Sequence, residues 1–328
     1  MKTKEEIIYS GPYKELFEGY ILYKQSLGFQ LEYREKRQLF NLNKFLNQYN
    51  TETVIITETM ANEYIHTVKH LSSSTIHAYA GRIRQLALYA RNIGHKDIYV
   101  VPEHHTKVST DFIPYIFSKN EIDKIFKVTN EIEIRPCCPT TKIFYQTIIR
   151  LLYSTGMRIS EALSLTIEDV VLESNLLIIF DGKGNVSRII PYDDSLGFWL
   201  KKYNEETYID NKKYFFESPR GGKYNRCSVK NYFEREILSA AGIPRRPDNR
   251  GPRLHDLRHT FACHSLDKMI RNGMDQFCAL PYLSTYLGHK GIESTEKYLR
   301  LTEDRFGEII DSGHYIYQEG LGDVHECI

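Results

Sequence analysis

Four short stretches of this sequence carry residue types that could handle a charged ester. The first is Thr155-Gly156-Met157-Arg158-Ile159-Ser160-Glu161, which follows an apolar, helix-like run. Glycine permits a sharp turn there. Arg158 stands three residues before Glu161, near enough for a carboxylate to hold the guanidinium in place. A plain surface ion pair at a helix start has the same spelling. The second is Lys183, between Gly182 and Gly184 at the tip of an expected hairpin. A tip lysine is usually solvated, yet a flexible finger that delivers an ammonium group has the same form. It is not a nucleotide-binding P-loop, because the G-x-x-x-x-G-K-[ST] spacing is missing.

The third stretch is His255-Asp256-Leu257-Arg258-His259. Positions three and four apart share a helix face, so His255, Arg258 and His259 point roughly the same way. His255 and His259 have the spacing of the zinc motif H-E-x-x-H. Asp256 replaces its glutamate, however, and the Arg258 cation would crowd a metal, so a zinc protease is set aside. A histidine beside a fixed arginine suits an anion with protons to move, such as a phosphodiester under attack. Ordinary core or surface packing is the duller alternative. The fourth stretch is Leu287-Gly288-His289, which closes a helix, with Tyr298 nine residues beyond His289. Tyrosine fills 24 of the 328 positions, so that last pair carries little by itself.

The set in order carries much more: arginine in T-G-x-R-x-S-E, lysine in G-K-G, then H-x-L-R-H, L-G-H and tyrosine. Here the chain resembles the tyrosine recombinase (phage integrase) family, which includes Xer recombinases and mobile-element integrases. The resemblance covers nearly the whole chain, with no departure at a catalytic position. It implies Arg158, Lys183, His255, Arg258, His289 and Tyr298 as the catalytic set, with Glu161 in support. By that resemblance the two arginines bind non-bridging phosphate oxygens, Tyr298 attacks in line to give a 3′-phosphotyrosine, and Lys183 protonates the departing 5′ oxygen. His255 takes or relays the tyrosine proton, and His289 hydrogen-bonds the phosphate. Strand exchange through a Holliday junction then follows, with a homotetramer acting on double-stranded DNA. Two alternatives stay open: a DNA-binding protein of the same fold without cleavage, and a type IB topoisomerase. No cofactor or metal is expected, since rejoining reverses cleavage and no constellation for two metal ions is visible.

These residues need elements to hold them. Leu16, Tyr20, Ile21, Tyr23 and Leu27 recur at near-helical spacing up to Gly28, and Leu39, Phe40, Leu42 and Phe45 continue in a second helix. Thr57 to Val68 reads as a third helix. Ser72, Ser73 and Ser74 supply an N-cap for a fourth, which runs to Gly94. The pattern lapses between Val101 and Pro114. The division expected is therefore a helical domain over 1–101, a linker over 102–114 and a second domain over 115–328, which by the resemblance are the core-binding and catalytic domains. Ser118 and Glu121 have capping-box spacing, and Thr141 to Tyr153 is helical. Leu176 to Phe180 and Val186 to Pro191 flank Asp181-Gly182-Lys183-Gly184 as a hairpin. Helices return at about Val229 to Ala241, Asp256 to Met269 and Gln276 to Leu287. The fold class is mainly α with a small antiparallel sheet.

Composition bounds the rest. At 328 residues, 41% hydrophobic and 26% charged, the chain can build one large core or two ordinary ones. No uninterrupted apolar run exceeds five residues, too short for a membrane helix. Charges with no apolar stretch behind them at the start argue against a secretory signal and for the cytoplasm. Six cysteines without a C-x-x-C pair fit idle thiols in a reducing compartment. Net charge is +1, but it is segregated. Residues 211–259 hold twelve Lys or Arg against five acids, and the segment from Glu303 onward holds one against seven. The basic stretch, with Arg245, Arg246 and Arg253, leads into His255 and is a candidate phosphate-binding face. Arg82, Arg84 and Arg91 on the fourth helix are candidate groove contacts. The acidic tail, with Phe306, Ile309, Ile310, Tyr315 and Ile316, is expected to dock on a neighbouring protomer.

Overall fold

The computed structural model describes residues 7–288 except 30, 32, 104–112, 135, 137, 183–185, 210 and 245–250, together with 295 and 298. Lys183, Arg245, Arg246, His289, the centre of the expected linker and the acidic tail thus lie outside the described residues. The chain divides into two compact units, 1–112 and 113–328.

Among its described residues the first unit holds four α-helices, α1 (Lys14–Ser26), α2 (Tyr33–Leu46), α3 (Glu58–His66) and α4 (Ser73–Asn92), with a 3-10 turn over Asn47–Tyr49 after α2. Each start has a chemical reason where the sequence offers one. Thr57 Oγ1 accepts from the Met60 amide, and Ser72 caps α4 by accepting from Thr75 N. Tyr13, Phe17, Leu42, Leu46, Ile56, Ile83 and Leu86 form the core. Polar groups inside it are satisfied: Asn43 exchanges hydrogen bonds with the Ser10 backbone, and the Tyr13 hydroxyl donates to Ile55 O at 2.6 Å. The α1 pattern is only half a buried face. Leu16, Phe17 and Tyr20 are buried, while Leu22 and Leu27 are exposed.

The second unit runs α5 (Lys119–Glu131), α6 (Thr141–Thr155), α7 (Ile159–Ala162), β1 (Val170–Val171), β2 (Leu176–Gly182), β3 (Val186–Pro191), α8 (Asp194–Glu206), α9 (Arg226–Tyr232), a π-turn over Phe233–Ile237, α10 (Leu238–Ala240), α11 (Asp256–Arg271) and α12 (Gln276–Leu287). The sheet is antiparallel in the order β1-β2-β3, with an irregularity between Ile179 and Gly182. The class expected from the sequence is the one observed. The capping box at Ser118 forms as well: Glu121 N donates to Ser118 Oγ and Ser118 N to Glu121 Oε2. Helix α6 is buried nearly all round, from Ile143 to Leu152, and packs against α5, α8 and α11. It is the hub from which the site is hung.

Among the elements the sequence reading missed, two are instructive. One is the two-residue strand β1. The other is α8, although its signals were ordinary: Asp193 caps it by accepting from Leu196 N, and Leu196, Leu200 and Tyr203 recur at helical spacing.

Candidate active site

The site grows from the end of α6. Thr155 Oγ1 donates to Leu151 O, and Gly156 then turns left-handed at φ +59°. No other residue fits there. A Cβ on Gly156 would lie 2.3 Å from Phe261 Cδ1, so packing and dihedral both demand glycine. The turn delivers Arg158 as the N-cap of α7, and Glu161 closes on it. Glu161 Oε2 accepts from the Arg158 amide at 2.9 Å and Oε1 from Arg158 Nη1 at 2.8 Å. The R-x-x-E spacing is therefore a cap and an ion pair at once. Among the described residues Nη1 is the nitrogen of that guanidinium that is engaged.

Arg258 is brought in from α11. It is 3% exposed, and its guanidinium joins two helix ends, donating to Gly156 O at 2.7 Å and to Leu287 O at 2.8 Å. Carbonyls at helix C-termini favour a cation there. Burial lowers its pKa to about 10, with the Arg158 charge adding to the effect, yet it remains protonated at neutral pH. Its helix is anchored one turn earlier, where buried Asp256 accepts from the Arg253 amide at 2.8 Å and from Arg253 Nη2 at 3.0 Å.

Tyr298 is 1% exposed, in an apolar nest of Ile116, Ala262, Cys263, Leu266, Leu283 and Leu287. Its hydroxyl lies 3.0 Å from His259 Nδ1. Burial pushes the phenol pKa up to about 12, although the Arg258 and Arg158 charges pull the other way. His255 is exposed, and its ring meets that of His259 edge-on at 5.0 Å between centroids. The imidazole on the phenol is thus His259, which the sequence placed on the right face but gave no role.

Of the expected catalytic set the structure brings together Arg158, Arg258 and Tyr298, with Glu161 beneath and His255 at the rim. It also adds Arg188, which sequence reasoning missed. Arg188 Nη2 donates to Glu161 Oε2 at 2.8 Å, and Nη1 lies 3.4 Å from Oε1. A signal was available. Arg188 shares a strand face with Ile190, which is fully buried, whereas Ile189 faces solvent. A charged residue on the inward face of a hairpin needs a partner. Burial would raise the Glu161 pKa, but hydrogen bonds from Arg188 and from the Arg158 amide outweigh it and hold the carboxyl below its ordinary value.

The candidate groove contacts of α4 are partly committed elsewhere. Arg84 Nη1 donates to Val101 O at 2.6 Å and Arg91 Nε to Ile98 O at 2.7 Å, binding the segment after α4 to its flank. Arg82 lies over the Tyr79 ring and lines a cleft of about 720 Å³ with Lys24, His77 and Gln85. Among the described residues no cluster of three metal-ligating side chains occurs, and no helix is long and apolar enough to cross a membrane.

Residues 116–305 match the model of the phage integrase family. The putative integrase/recombinase y4rB of Sinorhizobium fredii is 28% identical over 302 residues, 88% of this chain and 92% of that protein. The tyrosine recombinase XerA of Pyrococcus horikoshii is 29% identical over 206 residues, which is 62% of this chain and 63% of that relative's length. Among solved structures, the XerH site-specific recombinase bound to its difH substrate before cleavage superposes with a TM-score of 0.61 at 20% identity. That match covers 90% of this chain and 94% of the other. The Tn1549 transposon integrase in complex with transposon right end DNA gives 0.61 at 16% identity, over 86% and 94%. At such identities the likeness is one of fold.

Proposed function

The chain belongs to the phage integrase family, and from that premise we propose that it is a site-specific DNA recombinase that cuts and rejoins strands through a 3′-phosphotyrosine on Tyr298. The observation that supports this most is the charge of the site. Three guanidinium groups, Arg158, Arg188 and Arg258, gather around the Glu161 carboxylate, and the Tyr298 oxygen lies beside them. The surplus of positive charge in a buried setting calls for an anion.

A phosphodiester is such an anion. Arg158 and Arg258 bind its non-bridging oxygens and offset the charge that builds in the pentavalent transition state. The Tyr298 oxygen attacks phosphorus as the bond to the 5′ oxygen breaks. The phenol proton leaves through the histidines at the site, His259 in contact and His255 at the rim. Lys183 returns a proton to the 5′ oxygen, and His289 steadies the phosphate; both roles rest on the family resemblance. The ester bond is conserved in the phosphotyrosine, so rejoining by a 5′ hydroxyl of a second duplex needs no added energy source. Exchange of one strand pair at a time leads through a Holliday junction, with four protomers on two duplexes.

The four-helix unit is proposed as the domain that grips the far side of the duplex, and the cytoplasm as the compartment. The relatives described as recombinases, and the structures solved on DNA, support the same reading. Its test is a plasmid carrying two copies of the target site. A recombinase yields inverted or excised products whose junctions map to the sites. Relaxation without exchange, independent of site, would make the enzyme a topoisomerase instead.

A further inference from the structure

We propose that Arg188 is a positioning residue of the site, acting on the scissile phosphate through Glu161 and Arg158. This rests on the recombinase reading above. Arg158 must present its guanidinium at a fixed angle, and among the described residues its Nη1 is the nitrogen engaged, by Glu161 Oε1. Each Glu161 oxygen takes one donor from Arg158, Nη1 on Oε1 and the amide on Oε2, and keeps capacity for a second. Arg188 supplies that second donor to both oxygens. Its two terminal nitrogens reach both Glu161 oxygens, at 2.8 Å and 3.4 Å, so the fork sets the plane of the carboxylate. Both partners are buried, Arg188 at 8% and Glu161 at 6% side-chain exposure, where such contacts are strong and little screened.

The same guanidinium braces a third segment. Gly288 ends α12 in a left-handed turn at φ +66°, and a Cβ there would lie 3.0 Å from Arg188 Nη1 and 3.3 Å from Cζ. Arg188 packs close against this glycine. It also belongs to β3, paired with Ile179 of β2, the hairpin whose strands flank Lys183. One side chain therefore ties together the α7 start, the hairpin and the α12 end.

The role separates from plain structural support by its dependence on phosphate charge. Covalent adduct formation is measured with wild type, Arg188→Gln, Arg188→Lys and Arg158→Lys. One nicked duplex carries an ordinary scissile phosphodiester. A second carries a methylphosphonate, in which a methyl group replaces one non-bridging oxygen and removes the charge that Arg158 answers. Arg188→Gln should slow the ordinary substrate by about 100-fold, as loss of one oriented donor does. It should slow the methylphosphonate by less than about 10-fold, matching the pattern of Arg158→Lys, with DNA affinity within a few-fold of wild type. Arg188→Lys, which keeps the charge without the fork, should fall between. Equal slowing on both substrates, or none, would overturn the proposal. A crystal structure of Arg188→Gln reads the same point without catalysis: Glu161 should rotate and the Arg158 Nη1 contact should be lost or relocated. An unchanged Glu161–Arg158 pair would overturn the proposal even if wild type forms no adduct, an outcome that would instead retire the recombinase reading.

Discussion

At the scale of the residue, the site is a set of cations arranged by their second partners. Arg258 is fixed by carbonyls at two helix ends and Arg158 by Glu161, so each guanidinium reaches the site with its angle already set. Tyr298 presents the opposite problem. With its pKa pushed up to about 12 the phenol is protonated at pH 7, so the proposed attack requires the proton to leave as the bond forms. Tyr298→Phe is expected to abolish strand cleavage while DNA affinity, read by gel shift, stays within a few-fold. Lys183→Ala should slow cleavage of an ordinary duplex by about 10²–10⁴. A sulfur leaving group needs no proton, so a 5′-bridging phosphorothiolate should restore the rate, and failure to do so would remove Lys183 from the acid role. The arginines and the tyrosine were legible in the sequence because their motifs are short and ordered. Arg188 and the His259 contact were not, because both depend on which strand face or helix face ends up inside.

At the scale of the element, helix ends do the positioning. Gly156 is irreplaceable on two grounds. Gly156→Ala should lower stability by about 1–3 kcal/mol from overpacking against Phe261, and by roughly 1 kcal/mol more from left-handed strain. Thermal unfolding of the variant checks this, and an unchanged midpoint would contradict it. The Glu161 carboxyl sits below its ordinary value of 4.5. The stability its ion pairs contribute is therefore complete above about pH 4.5 and is lost as pH falls through the depressed pKa. Glu161→Gln should be less stable than wild type at neutral pH, and the difference should shrink as both are acidified. A difference that stays constant would assign the effect to packing alone. Caps at Ser72 and Ser118 were readable because side-chain oxygens there compete locally for backbone amides, and Thr57, read only as a helix start, caps α3 in the same way. The strand β1 was not, since two residues carry no periodicity and pair only because β2 is already in place.

At the scale of the whole molecule, each unit has its own core, and each buries tyrosines. Tyr9 and Tyr20 in the first unit and Tyr286 and Tyr298 in the second are all raised by burial to about 12 from an ordinary 10.0. A phenol whose folded pKa is raised contributes stability that is full below pH 10 and is lost as pH rises through 12. Alkaline titration should therefore show a late phase of tyrosinate absorbance, from the buried phenols, that coincides with loss of helical circular dichroism. Ionisation of all tyrosines near pH 10 with the helices intact would contradict it. The overall charge of +1 hides a segregation along the chain, since whole-chain composition averages over a basic stretch and an acidic one.

The most direct test is covalent trapping. Wild type and Tyr298→Phe are mixed with duplexes from the DNA flanking the gene, carrying 5′-bridging sulfur at candidate sites, and resolved on a denaturing gel. An adduct formed by wild type alone, whose linked peptide contains Tyr298, is the expected result. An adduct that persists in Tyr298→Phe, or clear binding by wild type with no adduct at any site, would contradict the assignment of Tyr298 as nucleophile.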